Sequence, residues 1–200
     1  MILNKFFPSI IGADVNKKHE SIQHKIVERC YDLRSSLNSG GENWISSDTY
    51  NTIGKHDVFS DFNFLDVNNF VVDKVKDYCE QLHFKKNFID YKPNSSWFNI
   101  YKKGDYQEYH HHGNSILSVV YFLKVSKSPA NIYFKSPYLD MIAPHYEKYT
   151  PDTFERVNFK PQPGMILIFR SHLEHSVEKQ IDNEDRISIA YNFRSNNERT

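Results

Sequence analysis

Apolar residues recur along this chain with two different periods, and the change falls near Pro93. Ile22, Ile26, Cys30, Leu33 and Leu37 follow one another at steps of three and four, the spacing that lines one face of a helix. A helix is therefore expected from Lys17 to Leu37, stopped by Asn38-Ser39-Gly40-Gly41. A second helical face is formed by Phe70, Val71, Val75, Tyr78 and Leu82, with Asp66 placed to cap its N-terminus. Phe6 to Val15 reads as a short apolar strand ahead of the first helix, and residues 42 to 64 are polar and irregular.

Beyond Pro93 the pattern shortens to the alternation of strands. Segments rich in β-branched and aromatic residues run from Ser96 to Tyr101, Tyr106 to His112, Ile116 to Val125 and Ala130 to Lys135. Thr153 to Phe159, Met165 to Phe169, His175 to Gln180 and Arg186 to Phe193 follow, with Gly, Pro or Asn punctuating the gaps. Short strands at such regular spacing predict a mainly β double-stranded β-helix, or jelly roll, with the two N-terminal helices packed on one sheet. No repeat or linker interrupts the chain, so residues 1–200 read as a single domain, with helical support over 1–92 and a jelly-roll core over 93–200. The longest interruption, Ser136 to Asp152, carries Tyr138, His145, Tyr146 and Tyr149; it is either a binding loop or a solvated excursion.

Composition narrows the function classes. Lys and Arg together number 25, as do Asp and Glu, and this balance argues against a dedicated nucleic-acid binder. Aromatic residues make up 15% of the chain, which suits a β-rich fold with an aromatic-lined cavity. Cys30 and Cys79 both fall in helical segments without a CxxC partner and read as reduced, buried thiols. The N-terminus lacks the apolar stretch of a secretion signal, and no run reaches membrane-spanning length, so a cytoplasmic location with no membrane partner is expected.

The chemistry gathers in Gln107-Glu108-Tyr109-His110-His111-His112, answered by His175 and then by Arg186-Ile187-Ser188. On a strand, residues two apart share a face, so His110 and His112 converge while His111 points away. His175 on a neighbouring strand would supply a third imidazole. Three ligands on one face, with the other open, is the arrangement by which non-haem iron(II) oxygenases hold their metal. Arg186 and Ser188 share a strand face and suit a carboxylate: the guanidinium is a bidentate fork and the hydroxyl adds a donor.

These residues carry a family resemblance. Trp97-Phe98-Asn99-Ile100-Tyr101 and then Gln107-Glu108-Tyr109-His110-x-His112-x-Asn114-Ser115-x-Leu117-Ser118-x-x-Tyr121-Phe122-Leu123 resemble the small 2-oxoglutarate/iron(II) dioxygenases of phages and marine bacteria. Pro163-Gly164, Phe169, Ser171 and His175, then Arg186-Ile187-Ser188-x-x-Tyr191-Asn192, are similar to the second half of that pattern. Phe6-Phe7-Pro8 and Trp44-x-Ser46 extend the likeness toward the N-terminus, and a more distant one runs to prolyl hydroxylases.

The resemblance implies a jelly roll, and a hydroxylase using iron(II), 2-oxoglutarate and O2, with ascorbate as a further reductant. It implies a bacterial or phage-infected cell as the setting. Its substrate would be a peptide, protein or small molecule, with a peptidyl residue such as proline foremost. His110 and His175 fall on the family's metal histidines, and His112 on the position where most members carry Asp or Glu. Arg186 and Ser188 fall on the grip for the distal carboxylate of 2-oxoglutarate. Tyr101 and Asn99 fall where a co-substrate contact is placed, and Phe122 where a second tyrosine is usual.

Three neutral histidines would leave bound iron(II) with one more positive charge than two histidines and a carboxylate. Two alternatives stay open at this point: Glu108 as the carboxylate ligand, or His112 behind the ligands with water in the third place. Three rival functions also stay open. One is a three-histidine dioxygenase that does not use 2-oxoglutarate; another is a non-catalytic jelly-roll binding protein; the third is a nucleic-acid demethylase. Arg186 separates the first from the leading reading, because a site without 2-oxoglutarate has no need of it. His172, His145 and the histidines at 19, 24, 56 and 83 read as structural or surface residues.

Overall fold

The computed structural model describes residues 1–42, 44–46, 48–138 and 144–196. It is mainly β, with antiparallel sheets and two helices. Strand β1 (Ile11–Val15) leads to helix α1 (His19–Ser36), then to the short strand β2 (Tyr50–Asn51), two 3-10 turns (Val58–Ser60 and Phe62–Phe64) and helix α2 (Leu65–Gln81). The remaining strands are β3 (Ser95–Tyr101), β4 (Gln107–His110), β5 (Leu117–Lys124), β6 (Ile132–Lys135), β7 (Arg156–Phe159), β8 (Met165–Arg170), β9 (His175–Val177) and β10 (Arg186–Phe193).

One sheet has six strands in the order β1-β8-β5-β10-β3-β2; the other has four, in the order β4-β9-β6-β7. The two face each other across Phe122, Leu167 and Phe169 of the larger sheet and Ile132 and Phe134 of the smaller. The outer face of the larger sheet shares a second apolar cluster with the helices. It joins Phe98, Ile100, Val119, Tyr121, Ile187, Ile189 and Tyr191 to Ile26, Cys30, Leu33, Val67, Val71 and Val75. Period two therefore divides β10: Ile187, Ile189, Tyr191 and Phe193 meet the helical side, and the alternate Arg186, Ser188, Ala190 and Asn192 face between the sheets.

Several expected boundaries shift. Strand β1 begins at Ile11 rather than Phe6, and Phe6 and Phe7 are exposed. Asp66 lies in the first turn of α2 without capping it; the N-cap is Phe64, and no side chain bonds there. The capping carboxylates belong to Asp57 and Asp61, which accept from the backbone N–H groups of Phe59 and Asn63 at the two 3-10 turns. Those turns occupy the region that period alone left irregular, because a single turn is too short to show a repeat. Strand β4 ends at His110, so His111 and His112 lie outside the ladder. Cys30 and Cys79 are both free and buried. Among the described residues no helix is long and apolar enough to cross a membrane. The loop from Ser136 to Asp152 falls partly outside the described residues, at 139–143; within the rest, Tyr138 and Tyr149 are exposed and Tyr146 packs on Tyr149.

Candidate functional site

Two strand ends and one loop deliver the three histidines. His110 closes β4, His175 opens β9, and the two are directly paired in the antiparallel register. That pairing brings their rings to 4.2 Å between centroids. His112 arrives by another route: its backbone N–H donates to the carbonyl of Ser171 at 2.9 Å, two residues beyond β4. Its ring then lies 5.1 Å from that of His110 and 5.2 Å from that of His175. One nitrogen from each ring lies within 4.8 Å of the other two, close enough for a single ion to touch all three.

The tautomers of two of these rings follow from their hydrogen bonds. Nδ1 of His110 lies 2.8 Å from the carbonyl oxygen of Glu108, and Nδ1 of His175 lies 3.0 Å from that of Leu173. A carbonyl only accepts, so each Nδ1 carries the proton and each Nε2 keeps its lone pair. Phe134 and Phe169 pack against the ring of His175 at 5.8 and 4.7 Å and fix its orientation.

Burial holds all three imidazoles neutral. It is the largest influence depressing His110 and His175, the latter well below the ordinary 6.5, and it takes His112 down to about 4, with the neighbouring imidazoles adding to the effect. Neutral imidazole is the form that binds metal. A stability consequence follows: below about pH 6.5 the unfolded chain takes up protons that the folded chain refuses. The metal-free protein is expected to lose stability as pH falls from 6.5 toward 4, with His175 alone contributing up to about 1.4 kcal/mol per pH unit. Urea unfolding at stepped pH, with His175→Ala as reference, checks this; parallel curves for the two proteins would contradict it.

Glu108 does not join the cluster. A register shift between Gln107 and His110 breaks the strand alternation, so Gln107 faces the pocket while the Glu108 carboxylate turns away from it. That carboxylate accepts from the backbone N–H groups of Ile45 at 2.9 Å and Ser46 at 3.3 Å, and from Nε2 of Gln107 at 2.8 Å. It tethers the segment whose neighbour Trp44 lines the pocket. Glu108→Gln should leave metal uptake unchanged and speed amide exchange at Ile45 and Ser46; loss of bound metal would restore Glu108 as a ligand.

Arg186 is the most informative residue of the pocket. It is 0% exposed, and its only hydrogen bond among the described residues runs from Nη1 to the carbonyl of Ala130 at 3.0 Å. Nε and Nη2 are buried without partners. The guanidinium lies between the rings of Tyr101 and Phe122, at 5.0 and 5.2 Å from their centroids. No carboxylate of the described residues forms an ion pair with it. An unpaired buried cation is costly, and burial pulls its pKa down. Its two unused donors leave room for an anion from outside.

The register of β10 on β3 places Arg186 opposite Tyr101, Ser188 opposite Asn99 and Ala190 opposite Trp97. Tyr101 is 3% exposed, and burial raises its phenol to about 12, so it stays a neutral donor. Asn99 Oδ1 and Trp97 Nε1 are buried without partners and line the same pocket. Trp97, Gln107 and Asn192 also line it, although no site role was expected of them. Trp97 was open to discovery, since it stands two positions before Asn99 and four before Tyr101 on one strand face. His111 and His172 are exposed, His19 is buried against the hydroxyl of Tyr121 at 2.8 Å, and none of them enters the site.

Residues 95–192 match the model of a family described as "Putative 2OG-Fe(II) oxygenase". No curated protein matches the chain in sequence. Among solved structures, a prolyl-4-hydroxylase of Pseudomonas putida is 12% identical over 93% of both chains, with a TM-score of 0.66. A Trichoplax adhaerens prolyl hydroxylase in complex with a peptide fragment of hypoxia inducible factor is 14% identical, with a TM-score of 0.63, over 92% of this chain and 82% of its own. HygX from Streptomyces hygroscopicus, with nickel and 2-oxoglutarate bound, is 9% identical, with a TM-score of 0.65, over 94% of this chain and 83% of its own. At these identities the likeness is one of fold.

Proposed function

We propose that this chain, whose residues 95–192 belong to the 2OG-Fe(II) oxygenase family, is an iron(II)- and 2-oxoglutarate-dependent dioxygenase that hydroxylates a C–H bond of its substrate. The single observation that carries the reading is the pairing of two features in one pocket: three convergent neutral imidazoles and a buried guanidinium with two unused N–H groups. The first fits a divalent metal and the second fits the far carboxylate of a diacid. The facing sheets make a jelly roll in this reading, with the site between them.

His110, His112 and His175 would hold the metal, His110 and His175 through Nε2. Bound there, iron(II) with 2-oxoglutarate supplies the activation of O2 and the oxidative decarboxylation that hydroxylation requires. The protein's own residues position and protect that chemistry. Arg186 anchors the distal carboxylate through Nε and Nη2. Ser188 and Tyr101 add hydroxyl donors, and Asn99 stands one step along β3 toward the histidines. Phe122, Phe134 and Phe169 keep the wall apolar, which strengthens the carboxylate–guanidinium contact and limits water. Phe122 offers no hydroxyl, so Tyr101 is the only phenol beside Arg186 among the described residues.

The substrate class we favour is a peptidyl residue, with proline foremost. Support comes from the prolyl hydroxylases among the structural neighbours, one of which holds a peptide. A three-histidine dioxygenase without 2-oxoglutarate is disfavoured because it leaves the Arg186 guanidinium uncompensated. The test is succinate release in the presence of iron(II), 2-oxoglutarate and a panel of proline-containing peptides and metabolites. Uncoupled succinate formation above the level of His110→Ala is expected even without a true substrate. Equal release from wild type and His110→Ala would overturn the reading.

A further inference from the structure

We infer that Asn192 is a positioning residue for the metal site: its side-chain amide selects which nitrogen of His112 carries the proton, and hence whether His112 can serve as the third ligand. The inference rests on the reading of His112 as a ligand.

His110 and His175 each have a backbone carbonyl behind Nδ1, and among the described residues His112 has none. The group facing Nδ1 of His112 is the amide of Asn192, with Nδ2 at 3.5 Å. In that orientation the amide can only donate. His112 would then accept at Nδ1 and carry its proton on Nε2, leaving no lone pair there for an ion. The contact is long for a hydrogen bond, and its polarity is the reverse of the other two histidines.

The surroundings permit both polarities. Asn192 is 6% exposed, and among the described residues its amide is held by hydroxyls alone apart from His112. Its Oδ1 accepts from Ser118 Oγ at 2.8 Å, its Nδ2 donates to Ser95 Oγ at 3.2 Å, and Ser118 Oγ lies 2.9 Å from Ser171 Oγ. A hydroxyl both donates and accepts. With the amide turned over, Nδ2 would donate to Ser118, Ser118 to Ser171, and Ser95 to Oδ1, with no bond lost. Oδ1 would then accept the Nδ1 proton of His112, freeing Nε2. Asn192, Ser118 and Ser171 thus form a reversible relay of polarity behind one ligand. Ser171 also holds the backbone of His112, so the ring and its partner are placed by the same short chain of contacts. A carbonyl behind His112 would fix the ligand permanently; an amide lets the ion choose. Outer partners of this kind set the tautomer and basicity of a ligating histidine.

The test uses zinc as the probe, with two readouts. Nitrogen-15 NMR of the histidines should show His112 protonated on Nε2 in metal-free protein and on Nδ1 once zinc is bound. In zinc titrations Asn192→Leu should weaken affinity by roughly 10- to 100-fold. Asn192→Asp, which can only accept, should bind zinc at least as tightly as wild type and show the Nδ1-protonated form before any metal is added. Wild-type affinity in Asn192→Leu would overturn the inference, as would a metal-free Asn192→Asp protein that keeps His112 protonated on Nε2. Should Asn192→Leu fail to fold, the wild-type and Asn192→Asp spectra decide alone. His112→Ala separates the premises. If it leaves zinc affinity unchanged, His112 is no ligand and the underlying reading fails. If it weakens zinc while Asn192→Leu does not, only the role of Asn192 fails.

Discussion

Replacing Arg186 with leucine should abolish 2-oxoglutarate binding and, at the same time, raise the thermal stability of the ligand-free protein. The two effects share one cause. The guanidinium is fully buried, with Nε and Nη2 unpartnered among the described residues, so the free protein carries an unsatisfied charge that an incoming carboxylate would neutralise. Leucine gives up the single bond to the Ala130 carbonyl but relieves that desolvation and packs between Tyr101 and Phe122. Replacing a poorly compensated buried charge with an apolar residue is often stabilising by about 1–4 kcal/mol. For a chain of this length each 1 kcal/mol moves the melting point by roughly 2–4 °C. In the loaded protein the difference shifts toward wild type by about 2.7 kcal/mol, since 2-oxoglutarate at 100 times its dissociation constant adds that much to wild type and nothing to the variant. Melting curves with and without 2-oxoglutarate and metal check both halves. A variant less stable than wild type without ligand, yet still shifted by 2-oxoglutarate, would remove Arg186 from the anchor role.

His175→Ala should carry the second largest effect. His175 is the most buried of the three imidazoles, 6% exposed, and its Nδ1 is fixed by Leu173. Its loss removes one of the three proposed ligands and opens a gap against Phe134 and Phe169. Metal affinity should fall by more than the roughly 10- to 100-fold that loss of an outer partner brings. Binding of 2-oxoglutarate should weaken with it, because the chelating end of the co-substrate loses its metal. Metal analysis after anaerobic purification, followed by titration with manganese(II), reads the loss. Undiminished affinity would mean that the ion, if bound, lies elsewhere.

Much of this site could be read from the chain before folding, and the reasons are specific. His110, His175, Arg186 and Ser188 stand in or at the ends of well-formed strands, where alternation fixes which face each side chain takes. Strand β10 advertises its role most clearly: it is buried on both faces, yet one face is apolar and the other reads Arg186, Ser188, Ala190, Asn192. A polar face between two sheets has no structural need to be polar. What the chain concealed was set by contacts that have no period. His112 converges through a loop bond to Ser171 rather than by strand alternation. Glu108 stays open as a ligand in the sequence because regular alternation would put it on the face of His110, and the register shift in β4 is invisible there. Asp57 and Asp61 cap single turns too short to signal themselves, which left the segment before α2 unreadable. Asn192 could not be singled out, because its importance lies in which ring it faces.

The most direct test of the account is the visible absorption of the protein under anaerobic conditions, with iron(II) and then 2-oxoglutarate added stepwise. A colour from the iron–2-oxo acid chelate requires metal held by the histidines and a co-substrate anchored beside it. The account predicts a charge-transfer band that saturates at one iron and one 2-oxoglutarate per chain and is lost in both Arg186→Leu and His175→Ala. A solution that stays colourless, or a band that survives both substitutions, would contradict it.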